Sequence, residues 1–148
     1  MKLPFYQIDA FTNKIFGGNP ACVVPLKEWL PNSTLLNIAK ENAVPETAFF
    51  IEHGERFHLR WFTPEIEMDL CGHATLATAH CLKTQMNYPK KEIVFETLSG
   101  DLTVAMYDEM YHLDFPSRMP IASELPKSIK NSLNIMPKEV YKSRDYVL

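Results

Sequence analysis

The chain has 148 residues, of which 46% are hydrophobic and 22% are charged, and its net charge at pH 7 is −3. This is the length and composition of one globular domain, since a chain of this size can bury a core without disulfides or metal ions. The slightly acidic balance argues against a nucleic-acid partner, because such proteins usually present a basic face.

The apolar runs of the sequence are short, and none approaches the length that a bilayer requires, so we expect no membrane partner. The N-terminal apolar stretch is also too short to be a signal peptide. The three cysteines, Cys22, Cys71 and Cys81, form no CxxC pair, and an odd number of thiols suits a reducing compartment. We therefore expect a cytoplasmic protein.

The first half of the chain alternates short strands with helices. Apolar and aromatic runs bounded by turn residues predict strands over 4–11, 21–26, 46–52 and 56–62. The last two strands are separated by a short loop with a glycine, which indicates a hairpin. Apolar residues at helical spacing predict a helix over 34–43, with Ser33 as its N-cap.

A second helix, predicted over 73–83, has no polar face. Its sequence, HATLATAHCLK, consists almost entirely of small or apolar residues, whereas a surface helix would show one polar side. A helix that is apolar all round should be buried, and its small side chains let strands approach closely. We therefore expect an α+β fold in which a curved, mixed or antiparallel sheet wraps around this central helix.

The rest of the chain contains further strand signals. Strands over 92–97, 101–108 and 110–115, joined by tight turns, predict an antiparallel meander. A short helix is predicted over 123–133, and residues 140–148 are typical of the start of another strand.

The segment from Asp69 to Thr75 carries the strongest local signal for chemistry. Gly72 opens the second helix, where unpaired backbone N–H groups and the helix dipole favour an anion such as a carboxylate. His73 lies in the first turn and could serve there as a neutral donor or acceptor. The alternative is that Gly72 only permits a tight strand-to-helix turn, with His73 capping it.

Two carboxylates are further candidates. Glu46 begins an apolar strand, a position that suits a general acid or base, although many glutamates at strand ends are simply solvated. Asp9 interrupts an apolar strand and carries the same ambiguity. The nucleotide-binding, zinc-protease, zinc-deaminase and serine-hydrolase motifs do not occur, so the sequence predicts no metal site. His80, two helical turns after His73, is expected to be a core or helix-end histidine.

Five ordered segments make the sequence resemble the phenazine-biosynthesis isomerase-like (PhzF-like) family, which shares the diaminopimelate epimerase fold. They are Asp9–Thr12 (DAFT), Phe16–Ala21 (FGGNPA), Pro45–Phe49 (PETAF), Arg60–Pro64 (RWFTP) and Leu70–Ala77 (LCGHATLA). Their order and spacing match the family densely over roughly the first 80 residues of the chain.

The resemblance implies a protein of two similar lobes with an active site in the cleft between them, without metal or organic cofactor. Glu46 would be the acid/base that moves a proton between carbons, and His73 its substrate-orienting or proton-handling partner. The backbone N–H groups of Gly72 and His73 would hold the carboxylate of a small metabolite. Asn19 would line the cleft, and Cys71 and Ala74 would also contact substrate.

One departure from the family concerns length. Family members run to roughly twice this length, and their second lobe supplies a catalytic aspartate and a Gly-Ser-Ala-type anion loop. We expect residues 1–118 to form the first lobe, and residues 119–148 to form a linker, a short helix and the beginning of the second lobe. The chain would then be a fragment, a truncated product or a half-length homologue with little or no turnover.

Two other expectations follow from that departure. An apolar surface between the lobes and an unfinished strand near Tyr146 would favour association, so a homodimer of two first lobes is expected. A catalytically silent domain that binds a ligand or a protein partner is the alternative function. A third reading assigns Cys71 as the base of an amino-acid epimerase or racemase, since a thiol at a helix N-terminus can have a lowered pKa.

Overall fold

The structure is a computed structural model that describes residues 2–144. The chain divides into two compact units, Met1–Phe115 and Pro116–Leu148. Its described elements are β1 (Tyr6–Ala10), β2 (Asn19–Pro25), α1 (Asn32–Asn42), β3 (Glu46–His53), β4 (Arg56–Phe62), β5 (Glu67–Met68), α2 (Gly72–Thr84), β6 (Glu92–Thr97), β7 (Gly100–Tyr107), β8 (Met110–Asp114), β9 (Ile121–Ala122), α3 (Lys127–Lys130) and β10 (Tyr141–Lys142).

The first unit is built on one mixed sheet with the strand order β1-β2-β3-β4-β6-β7-β8, and β5 pairs with β4 outside this order. The pairs β2–β3 and β4–β6 are parallel, and the other pairs are antiparallel. Each parallel pair needs a crossover connection, and α1 and α2 lie in those two connections. The predicted α+β fold with a mixed sheet is confirmed.

Helix α2 lies inside the curve of the sheet. It contacts β1, β2 and β3 and also β8, so it meets both edge strands of the same sheet, which must therefore curl around it. Its buried residues come from every side of the helix: His73, Ala74, Thr75, Ala77, Thr78, Ala79, Cys81 and Leu82. The small side chains allow the strands to approach closely, as the sequence predicted.

Helix α1 packs on the opposite face of the sheet, against β3 and β4. Leu35 and Ala39 of this helix join Phe49 and Phe62 of the sheet in a second buried cluster, separate from the one around α2. The rings of Phe49 and Phe62 meet edge to face with centroids 5.7 Å apart. The first unit thus has a core on each side of its sheet.

Two predicted element boundaries are wrong. Pro31, not Ser33, is the N-cap residue of α1, and its carbonyl accepts hydrogen bonds from the N–H groups of Thr34 and Leu35. The ring of Pro31 fixes its φ near the value that a helix start needs, so the helix begins earlier. The helix predicted over 123–133 is reduced to α3, none of whose residues is buried, so no packed face extends it.

The second unit contains a two-stranded antiparallel pair, in which Ile121 lies opposite Lys142 and Ala122 opposite Tyr141. The strand predicted over 140–148 is therefore represented by β10, and its part beyond residue 144, including Tyr146, lies outside the described residues. Within residues 2–144, the helices all lack the length and apolar character that crossing a bilayer demands.

Candidate active site

Glu46 is the first residue of β3, and its side chain lies on the face of the sheet that packs against α2. Side chains alternate along a strand, and Ala48 and Phe50 of β3 belong to the core around this helix. The start of β3 is held from the other side, because the side-chain amide of Asn42 donates a hydrogen bond to the Thr47 hydroxyl, at 3.0 Å. The chain therefore delivers the Glu46 carboxylate to the α2 side at a fixed position.

The N-terminus of α2 follows an extended residue, Cys71, whose φ is −148° and ψ is 114°. The Cys71 carbonyl begins the helix by accepting a hydrogen bond from the Thr75 N–H at 3.3 Å, and the Thr75 hydroxyl donates to the same oxygen at 2.5 Å. No acidic residue occupies the first turn. The helix start is thus rigid and keeps its positive dipole uncompensated by its own side chains.

Glu46, Cys71 and His73 come together at this point. Nε2 of His73 lies 3.2 Å from Oε2 of Glu46, and Nδ1 of His73 lies 3.5 Å from Sγ of Cys71. The side chains of His73 and Glu46 are only 9% and 17% exposed. Although Nε2 and Oε2 are close, they do not meet in hydrogen-bond geometry, and neither atom has another hydrogen-bond partner among the described residues.

The structure opposes the idea that Cys71 is a base of lowered pKa. The pKa of the Cys71 thiol is raised to about 12, chiefly by burial and in smaller part by the nearby Glu46 carboxylate. The backbone N–H groups of Ala74 and His73 lower the pKa, but by less than burial raises it. Loss of water around the sulfur outweighs the favourable helix N-terminus. At neutral pH, Cys71 is therefore a protonated thiol.

The remaining predicted site residues lie around the same corner of the fold. Asn19 begins β2 two residues before Ala21, which is paired with Glu46 in the parallel register, so Asn19 and Ala21 share a face. Gly72 is partly exposed, whereas Ala74 is fully buried in the core. Ala74 therefore presents no accessible surface, and its N–H points at the sulfur of Cys71.

Asp9 and His80 belong to a different place. They line a cavity of about 140 Å³ between β1 and α2, together with Tyr111 of β8. Nδ1 of His80 lies 3.2 Å from the Tyr111 hydroxyl, and the two rings pack edge to face. His80 is thus a partly buried structural histidine, as predicted.

Sequence reasoning missed Phe115, which follows β8. A Cβ added at Gly72 would lie 3.3 Å from Cε2 of Phe115, so glycine gives this ring its close approach to the start of α2. No local signal could have found this contact, because 43 positions separate the two residues in the sequence. The lack of a side chain at position 72 therefore serves the packing of Phe115.

Comparison with known proteins agrees with this fold. The sequence model of a protein family, described as phenazine biosynthesis-like protein, matches residues 8–139 of the chain. The chain is 42% identical over 148 residues to an uncharacterized isomerase of Pseudomonas aeruginosa, covering 100% of this chain and 57% of the relative. The chain belongs to the phenazine biosynthesis-like (PhzF) family, and it spans a little more than half the length of this relative.

Solved structures give the same result. The crystal structure of a phenazine biosynthesis protein of the PhzF family from Enterococcus faecalis matches with a TM-score of 0.87 and 43% identity, covering 98% of this chain and 56% of that one. A protein from Pseudomonas aeruginosa described as a predicted epimerase matches with a TM-score of 0.62 and 21% identity, covering 74% and 41% of the two chains. The second likeness shows a shared fold alone.

Proposed function

We propose that this protein is an isomerase of the PhzF type that moves a proton between two carbons of a small carboxylated metabolite, without an added cofactor. The observation that carries the proposal is the pair formed by Glu46 and His73, whose facing atoms lie 3.2 Å apart at the start of α2. A buried carboxylate and imidazole in contact can take up, share and return one proton. The naming of a relative as an isomerase supports the same reaction class.

In the proposed reaction, the Glu46 carboxylate removes a proton from a carbon that the substrate's own unsaturation activates. It then returns the proton to a second carbon of the same molecule, so no group is lost or gained. The N–H groups of Gly72 and His73, at the positive end of α2, hold the substrate carboxylate and stabilise the negative charge that develops. His73 orients the substrate and the Glu46 carboxylate.

Deuterium exchange tests the role of Glu46. The complete gene product is incubated in deuterated water with a panel of small β,γ-unsaturated carboxylic acids, and deuterium on carbon is measured by mass spectrometry. Glu46→Gln should slow the exchange by about 10²- to 10⁴-fold, because the amide cannot accept the proton. Glu52→Gln, on the exposed end of the same strand, is the matched control and should exchange at the wild-type rate. Equal exchange by wild type and Glu46→Gln would reject Glu46 as the base.

The second candidate is a domain that binds a carboxylate without turning it over. The N-terminus of α2, whose first turn contains no acidic residue, favours it, because binding there needs only local backbone. Titration with a small dicarboxylate, followed through the amide signals of Gly72 and His73, separates the two functions. Shifts without deuterium incorporation into the dicarboxylate or the acids of the panel favour binding alone, and exchange lost in Glu46→Gln favours the isomerase.

The cysteines bear on where this reaction takes place. Cys22, Cys71 and Cys81 are all free and buried. Unpaired thiols persist in reducing compartments, which supports the proposal that the protein acts in the cytoplasm.

A further inference from the structure

The three side chains at the start of α2 offer a set of donor atoms that the proton-transfer reaction does not fully use. One ligand atom each from Glu46, Cys71 and His73 lies within 4.8 Å of the others. Carboxylate oxygen, thiolate sulfur and imidazole nitrogen are the three donor types that zinc binds in proteins. The reaction proposed above gives no role to the sulfur.

Two of these donors are buried without a hydrogen-bond partner among residues 2–144. The His73 side chain is 91% buried, and its Nε2 points toward Oε2 of Glu46 without bonding to it. Leaving buried polar atoms unpaired is unfavourable, and in native structures such atoms often mark an ion or a water molecule. The orphan nitrogen and oxygen thus indicate where a ligand would sit.

The spacing of the donors fits a tetrahedral ion. Zinc bonded to one nitrogen and one oxygen holds these atoms about 3.3 Å apart, and it holds nitrogen and sulfur about 3.6 Å apart. The distance of 3.2 Å between Oε2 of Glu46 and Nε2 of His73 is close to the first of these distances. The sulfur lies 3.5 Å from Nδ1, the other ring nitrogen of His73, and within 4.8 Å of a Glu46 carboxylate oxygen, so the Cys71 side chain must rotate to bind an ion held by Nε2 and Oε2.

We propose that Glu46, Cys71 and His73 form a binding site for Zn²⁺, and that the bound ion switches off the proton-transfer pair. Binding breaks the S–H bond of Cys71, forms a zinc–sulfur bond and releases the proton to water, while a water molecule takes the fourth position. The ion occupies the lone pairs of Glu46 and His73 that a substrate proton would need. This inhibitory consequence rests on the proposed function, whereas the binding does not.

The site is largely preformed because two rigid elements hold its ligands. Cys71 and His73 flank Gly72 at the first turn of α2, and Glu46 begins a strand packed against that helix. Ligands held in this way lose little freedom when an ion binds. The sequence contains no zinc-site spacing, since one ligand lies 25 positions before the nearest of the others.

Cobalt titration tests the site without any substrate. Co²⁺ replaces Zn²⁺ in such sites and shows a thiolate-to-cobalt charge-transfer band, together with the intense visible bands of tetrahedral coordination. The wild-type chain should develop both at one equivalent of Co²⁺, and Zn²⁺ should abolish them by displacement. The double variant Cys22→Ala/Cys81→Ala keeps Cys71 as the only thiol and should give the same spectrum.

Two variants identify the ligands. Cys71→Ala should lose the charge-transfer band, and Glu46→Gln should weaken Co²⁺ binding at least about tenfold, since even partners one shell beyond the ligands contribute that much. Circular dichroism checks that Cys71→Ala and Glu46→Gln are folded. If either variant is unfolded, the spectra of the wild type and of Cys22→Ala/Cys81→Ala decide whether the site binds Co²⁺. Absence of the charge-transfer band in both the wild type and Cys22→Ala/Cys81→Ala would overturn the site. Persistence of the band in folded Cys71→Ala would overturn it as well. Failure of the deuterium-exchange assay leaves these spectra unchanged, so the two proposals fall separately.

Discussion

Gly18, immediately before β2 and the candidate site residue Asn19, is a position where only glycine fits. Its φ is +79°, and a Cβ there would lie 2.3 Å from the Ala10 carbonyl oxygen and 2.7 Å from Cγ2 of Thr12. Ala10 is paired with Asn19 in the β1–β2 ladder, so the oxygen cannot move away without disturbing that pairing. Gly18→Ala is therefore expected to destabilise the fold.

The expected magnitude has two parts. A side chain in the left-handed region costs about 1–2 kcal/mol. Forcing an atom into an occupied space costs about 1–3 kcal/mol more, because the backbone must shift. The sum of about 2–5 kcal/mol is a large fraction of the roughly 7–15 kcal/mol expected for a chain of this size.

Urea unfolding, followed by tryptophan fluorescence and circular dichroism, measures the effect. Gly54→Ala is the matched control, because Gly54 has a φ of +63° but no heavy atom within 4 Å of the added Cβ. Gly54→Ala loses stability only because of the strained backbone conformation. Gly18→Ala should therefore lower the free energy of unfolding by about 1–3 kcal/mol more than Gly54→Ala does. Equal losses of stability in the two variants would refute the argument that contact with Ala10 requires glycine.

Two further predictions concern the thiols and the core. Burial raises the pKa of Cys22 and Cys81 to about 11 and that of Cys71 to about 12, so at pH 8 each thiolate fraction is at most about 10⁻³ and rises with pH. Ellman's reagent should therefore react slowly with the native protein at pH 8 and rapidly after unfolding; one fast native thiol would contradict this. Phe49→Ala removes a fully buried ring and should lower the free energy of unfolding in urea by about 3–5 kcal/mol. Phe16→Ala removes a ring that is 99% exposed and should change that free energy by less than about 0.5 kcal/mol. Similar losses in the two variants would contradict the packing described.

Local composition was sufficient for the central helix and the strands around it. The run HATLATAHCLK has no polar face, and this property alone predicts a helix surrounded by protein, which α2 is. The hairpin of β3 and β4 was predicted equally well, because two strand-like runs flank a short loop with a glycine. The start of α1 was misplaced, since a proline carbonyl can begin a helix without any capping side chain.

The sequence by itself singled out Glu46 and the segment around His73 as candidate site residues, through their match to an ordered set of family motifs. Only the tertiary structure decided that the Glu46 carboxylate meets the His73 imidazole at 3.2 Å, with the Cys71 sulfur beside them. It also decided that burial outweighs the helix N-terminus in setting the pKa of Cys71. The physical reason is that propensity and pattern act between near neighbours in the chain, whereas desolvation and contact depend on which distant strand packs against the helix.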